Sequence, residues 1–194
     1  YWQVLGATGT GADSSFTGTI MALGGITIGA RATLTGRALS HGLITLSANT
    51  FTGPGGVLGI SAPSAVDMGA GSAAGTLTAQ LGAVTATDDR GQAGAGWTAQ
   101  ASSTVFSNTT TPAASPITTL TYASGASTST TGTAVLVPGQ TTTPSALSST
   151  PVTVFSASGS EGNNSATWNP TIVVHLPVQA IAGSYKGTIT HSLS

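Results

Sequence analysis

The sequence contains no cysteine and almost no charge. Without Cys there is no disulfide scaffold, no zinc–thiolate site and no thiol redox chemistry. Charged residues make up 5% of the 194 positions, where an ordinary soluble domain has about 25%. Four Lys and Arg residues cannot build the basic surface that phosphate-driven binding needs, which excludes nucleic acid as a partner. No apolar run reaches the roughly 18 residues of a membrane-crossing helix, so no membrane span is expected. Low charge does not here mean disorder, which pairs high charge with low hydrophobicity. Hydrophobic residues are 39% of the chain and the mean hydropathy is +0.27, enough for a packed core.

Small residues dominate what is present. Thr (35), Ala (29), Gly (27) and Ser (24) occupy 115 of 194 positions. The nine charges are Asp13, Arg31, Arg37, Asp67, Asp88, Asp89, Arg90, Glu161 and Lys186, and residues 91–160 carry none. With a net charge of −1, repulsion does not keep copies apart, and other copies of the chain are the first expected partner. The length suits one or two domains. The chain opens on Tyr1-Trp2-Gln3-Val4 without initiator Met or signal-peptide pattern. It closes on the strand-like run Gly187 to Leu193, and so reads as a mature or trimmed piece of something longer.

An internal repeat opens the chain. Phe16-Thr17-Gly18-Thr19-Ile20-Met21-Ala22 aligns with Leu34-Thr35-Gly36-Arg37-Ala38-Leu39-Ser40. At the same offset Gly24 falls on Gly42, Ile26-Thr27-Ile28 on Ile44-Thr45-Leu46, and Ala30 on Ala48. A fixed period with strand-like alternation predicts a β-solenoid, its coils stacked about 4.8 Å apart. Phe16, Ile26, Ile28, Leu34, Ile44 and Leu46 are expected to point inward. Ser15, Thr17, Thr33 and Thr35 then form an outward hydroxyl array, with Thr27 and Thr45 also outward; Arg37 and His41 interrupt neighbouring positions. Tyr1-Trp2-Gln3-Val4, the Phe16–Ala22 run, Gly36-Arg37-Ala38-Leu39 and Ile44-Thr45-Leu46 followed by Asn49-Thr50 closely resemble the C-terminal half of the bacterial ice-binding-protein family. The resemblance covers residues 1–52. It implies a right-handed β-solenoid whose earlier coils and flanking helix are absent here, and ice as a ligand of the hydroxyl array.

Gly53-Pro54-Gly55-Gly56 marks a linker, residues 53–56. Residues 57–194 read as an antiparallel β-sandwich, so the whole chain is expected to be all-β. The expected strands are Val57–Ile60, Thr76–Thr87, Trp97–Phe106, Ile117–Tyr122, Thr133–Val137, Val152–Ala157, Thr171–Val178 and Gly187–Leu193. The Ser/Thr-rich stretches 107–116, 124–131 and 139–150 read as loops. Leu81-Gly82-Ala83-Val84-Thr85-Ala86-Thr87-Asp88, Gly96-Trp97-Thr98, Gly162-Asn163-Asn164 to Trp168-Asn169-Pro170, and Ala182 to Ser192 resemble the WxL-type surface domain of Gram-positive bacteria. The family's second Trp corresponds to His191 here, and Trp97-Thr98-Ala99 has no Leu. This resemblance implies an extracellular, cell-surface setting with peptidoglycan as a partner.

No catalytic inventory stands out. Serines are ubiquitous, no Gly-x-Ser-x-Gly elbow occurs, and His41, His175 and His191 lie far apart in sequence. No enzyme activity, cofactor or metal is expected. Asp88-Asp89-Arg90 reads as a salt-bridged turn or the start of a calcium site, which wants six or more oxygens. Trp97, Trp168 and Tyr185 read as core residues or a sugar-stacking platform. Asn108-Thr109-Thr110 and Asn163-Asn164-Ser165 match the glycosylation sequon. The expected function is a non-enzymatic structural or adhesive surface protein that self-assembles by β-edge pairing and solenoid stacking. Binding of ice or cell-wall glycan is the alternative.

Overall fold

The computed structural model describes residues 1–53, 56–141 and 143–194. Among them the chain is all-β, with no helix. It divides into two compact units, Tyr1–Gly56 and Val57–Ser194. Pro54 and Gly55 of the expected linker lie outside the described residues.

The first unit contains β1 (Trp2–Val4), β2 (Thr8–Thr10), β3 (Ser15–Ala22), β4 (Ile26–Ile28), β5 (Thr33–Ser40), β6 (Ile44–Thr45) and β7 (Thr50–Thr52). They form two parallel sheets, ordered β1-β3-β5-β7 and β2-β4-β6. Ser15 pairs with Thr33 and Ile26 with Ile44, a uniform offset of 18 residues. Parallel pairing at one offset is the geometry of a solenoid. Gly18 (φ 132°) and Gly36 (φ 140°) turn the long strands β3 and β5 midway. A Cβ on Gly36 would sit 1.8 Å from the Gly18 carbonyl oxygen, so this stacked corner admits glycine alone. β1 therefore pairs only with the arm after the turn (Trp2 with Ile20), and β7 only with the arm before it (Thr50 with Thr33).

Ile20, Ile26, Ile28 and Leu34 are buried between the sheets, with Phe16, Ala38 and Ile44 half-buried against them. Leu46, expected inward, is 52% exposed. The third coil is one residue shorter there. Arg31 (φ 60°) and Ala48 (φ 51°) hold the same left-handed corner, and Thr33 pairs with Thr50, an offset of 17. β6 ends at Thr45, and Leu46 falls into the turn. Asn49 closes that turn: its Nδ2 donates to the carbonyls of Gly29 (2.6 Å) and Ala32 (3.2 Å), and its Oδ1 accepts the Ser47 N–H (2.6 Å).

In the second unit the strands are β8 (Leu58–Ser61), β9 (Thr76–Gln80), β10 (Val84–Asp88), β11 (Ala93–Ser103), β12 (Ser107–Asn108), β13 (Thr119–Ala123), β14 (Ser127–Thr131), β15 (Val135–Pro138), β16 (Ser145–Leu147), β17 (Val152–Glu161), β18 (Asn164–Trp168), β19 (Thr171–His175), β20 (Tyr185–Lys186) and β21 (Ile189–Leu193). All pairings are antiparallel. They build the sheets β14-β18-β10-β8, β15-β17-β11-β21 and β16-β13-β19-β9, with a β12-β20 ribbon. One core joins them, centred on Trp97, Tyr122, Phe155 and Trp168, where Phe155 stacks on Trp168 at 4.8 Å.

Several expected boundaries change. The supposed loops 124–131 and 139–150 contain β14 and β16, and 107–116 begins with β12. Thr is at ease on an exposed strand, so a Ser/Thr run such as β14, exposed along most of its length, has the composition of a loop. β18 carries no apolar alternation in sequence: its inward positions are Asn164, Ala166 and Trp168, of which two are not strand formers. The single run Thr76–Thr87 is broken at Gly82 (φ 95°) into β9 and β10.

Candidate surface-binding face

The arms of β3 and β5 before the glycine turn, together with β7, make a three-stranded parallel face. Side chains alternate across it. Phe16, Leu34 and Phe51 pair with one another beneath it; Ser15, Thr17, Thr33, Thr35, Thr50 and Thr52 occupy the alternate positions. The six hydroxyls thus form two columns. Along a column the spacing is that of hydrogen-bonded strands, about 4.7–4.9 Å, and across it that of alternate strand residues, about 6.6 Å. Ser15, Thr17, Thr50 and Thr52 are exposed, while Thr33 and Thr35 are half-buried because strands flank them on both sides.

The structure thus brings four expected site residues together and leaves two apart. Thr27 pairs with Thr45 on the β2-β4-β6 sheet, both exposed, beside Gly9. Thr50 and Thr52 were missed because a constant offset of 18 does not find them; the shortened third coil moves them by one residue. Arg37 follows the Gly36 turn and His41 lies beyond β5, so neither falls within the hydroxyl columns. Asp13 and Arg31, at the corner before the face, neutralise each other: Arg31 Nε donates to Asp13 Oδ1 at 2.7 Å.

The remaining candidates resolve into structural roles. Asp88 is buried, and Arg90 donates to both its oxygens at 2.9 Å. The Asp88–Arg90 turn is therefore an ion pair, and the Arg90 guanidinium holds the Asp88 carboxyl below the usual carboxylate range. Among the described residues no group of three or more His, Asp or Glu is placed to hold a metal. Trp97 (3% exposed) and Trp168 (0%) are core residues, which removes the sugar-stacking platform. Trp97 Nε1 donates to Asn164 Oδ1 (2.8 Å), and Trp168 Nε1 donates to Tyr122 Oη (3.0 Å). That phenol lies 3.1 Å from His191 Nε2. Burial pushes the Tyr122 phenol up and the His191 imidazole down, so both are neutral. Asn108 of the first sequon is buried, and its Oδ1 accepts the amides of Thr110 and Thr111. Asn163 of the second is exposed.

A family model described as Ice-binding-like matches residues 1–52. No curated protein and no solved structure matches the chain.

Proposed function

We propose that the chain is a non-enzymatic extracellular protein that works by adhesion, laying the hydroxyl face of its solenoid on an ordered surface. The observation that carries this reading is the two-column array of Ser15, Thr17, Thr33, Thr35, Thr50 and Thr52 on one parallel sheet. Hydroxyls held on a stiff sheet are already ordered, so they lose little freedom when they meet a periodic partner. Ice is the surface that the matched family's description names. The extracellular setting rests on the resemblance of residues 57–194 to WxL-type surface domains, which makes peptidoglycan the competing surface. Ice-recrystallisation inhibition at micromolar protein tests the reading. Thr33→Tyr combined with Thr35→Tyr should abolish inhibition while leaving the fold intact by circular dichroism. Inhibition that survives both substitutions, or is absent from the wild type, sinks the ice reading; a peptidoglycan pull-down then decides the other surface.

A second reading, self-assembly into a fibre or array, is favoured by the last coil. Among the described residues β6 and β7 each end their sheet with one edge unpaired, and Leu43 (79% exposed), Leu46 and Phe51 (44%) stand beside those edges. Free strand edges recruit further strands, and head-to-tail use of such an edge yields filaments when the rotation does not close. Polymers visible by electron microscopy, dispersed by Phe51→Lys and Leu46→Lys, are the expected result. Monomers alone at high concentration would overturn it.

A further inference from the structure

β7 covers half of the coil beneath it. It pairs with Thr33, Leu34 and Thr35, the arm of β5 before the Gly36 turn. The arm after the turn, Arg37–Ser40, pairs with Thr19–Ala22 of β3 on one side. Among the described residues nothing pairs with its other side. The last coil therefore ends in a step, with the three-residue strand β7 raised beside an open ledge, Arg37–Ser40.

The hydrogen bonds show which backbone groups the step leaves free. Successive residues of a strand direct their N–H and C=O groups to opposite edges. The His41 N–H donates to the Ala22 carbonyl at 3.1 Å, toward β3. By alternation Ala38 and Ser40 aim their groups the other way, out of the ledge. The Thr50 N–H donates to the Ala32 carbonyl at 3.1 Å, toward β5. Phe51 therefore aims its N–H and C=O out of the open edge of β7. Such edges recruit further strands.

Two copies of this step fit each other. A twofold axis through the corner lays each β7 antiparallel on the ledge of the other copy. Counted from the corner glycines, Thr52 stands one residue before Gly53 and Arg37 one after Gly36; Phe51 and Ala38 stand at two, Thr50 and Leu39 at three. Matching these distances sets Phe51 opposite Ala38. Both have free groups facing the junction, and opposed residues of that kind exchange both N–H···O bonds. The same register sets inward side chains on inward ones: Phe51, 44% exposed in the single chain, meets the small Ala38. Outward Thr50 and Thr52 then meet outward Leu39 and Arg37. No like charges oppose each other, since β7 has no charge and the ledge has Arg37 alone. A single strand from another protein would cover the ledge and leave the Phe51 groups unpaired, whereas a second copy closes both edges at once. Twofold pairing is also the commonest arrangement of identical chains.

We propose that two copies of the chain close into a dimer through the last solenoid coil, each β7 adding antiparallel to Arg37–Ser40 of the other with Phe51 opposite Ala38. The proposal rests on the self-assembly reading above and names the first contact of that assembly. The full chain has no cysteine, so an introduced disulfide reports one contact. Thr50→Cys and Leu39→Cys are combined in one chain. Opposed side chains of an antiparallel pair have Cβ atoms about 4.5–5.5 Å apart, which a small adjustment brings within disulfide reach. Oxidised glutathione should give a covalent dimer that grows no further, while each single variant stays unlinked. Sedimentation of the wild type should give twice the chain mass. Phe51→Pro removes the N–H aimed at the partner and no bond within the chain, and should raise the dimer dissociation constant at least tenfold. Wild type that sediments as a monomer at every concentration overturns this proposal and the self-assembly reading together. A ladder of multimers linked through Thr50→Cys and Ser15→Cys, the pairing of a head-to-tail stack, leaves that reading standing and overturns the twofold dimer.

Discussion

The Trp97 indole donates to Asn164, and the Asn164 Nδ2 in turn faces Asp88 Oδ2 at 3.5 Å. The pair sets β11 against β18 and passes the contact to the Asp88–Arg90 turn after β10. Replacing one partner of a buried bond leaves the other unsatisfied, at about 1–3 kcal/mol. Asn164→Leu should therefore lower the stability of the second unit by about that amount, read as a reduced urea midpoint at unchanged slope. Asn164→Asp should weaken it too, by placing a second carboxylate beside Asp88.

Acid should destabilise this unit in two steps. Burial holds His191 neutral, with its pKa below the ordinary 6.5. The unfolded chain therefore takes up a proton first as pH falls, and stability declines below about pH 6.5 until the folded imidazole also titrates. Asp88 gives the second loss. Its carboxyl is held below the ordinary range by Arg90, so its contribution is complete above about pH 4 and disappears as pH falls through its lowered folded value. Melting temperatures measured from pH 7 to pH 3 should show both slopes. His191→Gln should flatten the upper one and leave the lower.

Gly36→Ala should unmake the solenoid unit selectively. The left-handed φ alone costs more than about 1 kcal/mol for alanine, and the Cβ would also strike the Gly18 carbonyl. Limited proteolysis should then cut within residues 1–53 while the second unit stays protected. Equal protease resistance would show that the two corners separate at little cost.

Glycosylation should discriminate between the two sequons. Expressed in a host that attaches N-linked sugar, the protein should carry it at Asn163 and not at Asn108, whose side chain is buried and engaged by backbone amides once folded. Peptide mapping by mass spectrometry reads the outcome, and a glycan on Asn108 in folded protein would contradict it.

The repeat was legible because its inward residues are large and its corners are glycine. Phe16 over Leu34 and Gly18 over Gly36 announce the register without any structure. The shortened coil was not, since deleting one residue from a turn leaves no apolar signature; Thr50 and Thr52 were missed and Leu46 was misplaced for that reason. In the second unit, runs such as Thr171–His175 declare themselves by alternation, Ile172 and Val174 inward. Strands β14 and β16 have polar faces that look like loops, and their pairing partners supply what their own composition does not.

Where the missing residue falls decides how such a face grows. Between the Asp13 and Arg31 corners the chain advances 18 residues and the hydroxyl columns stay aligned. The next coil loses its residue before the Ala48 corner, and Thr50, Phe51 and Thr52 return to the positions of Thr33, Leu34 and Thr35. An extra 18-residue unit inserted at either corner would therefore extend each column by one rung of about 4.8 Å. The turn after β6 absorbs a change of length that the face never registers, and the area of the face is adjustable in whole rungs.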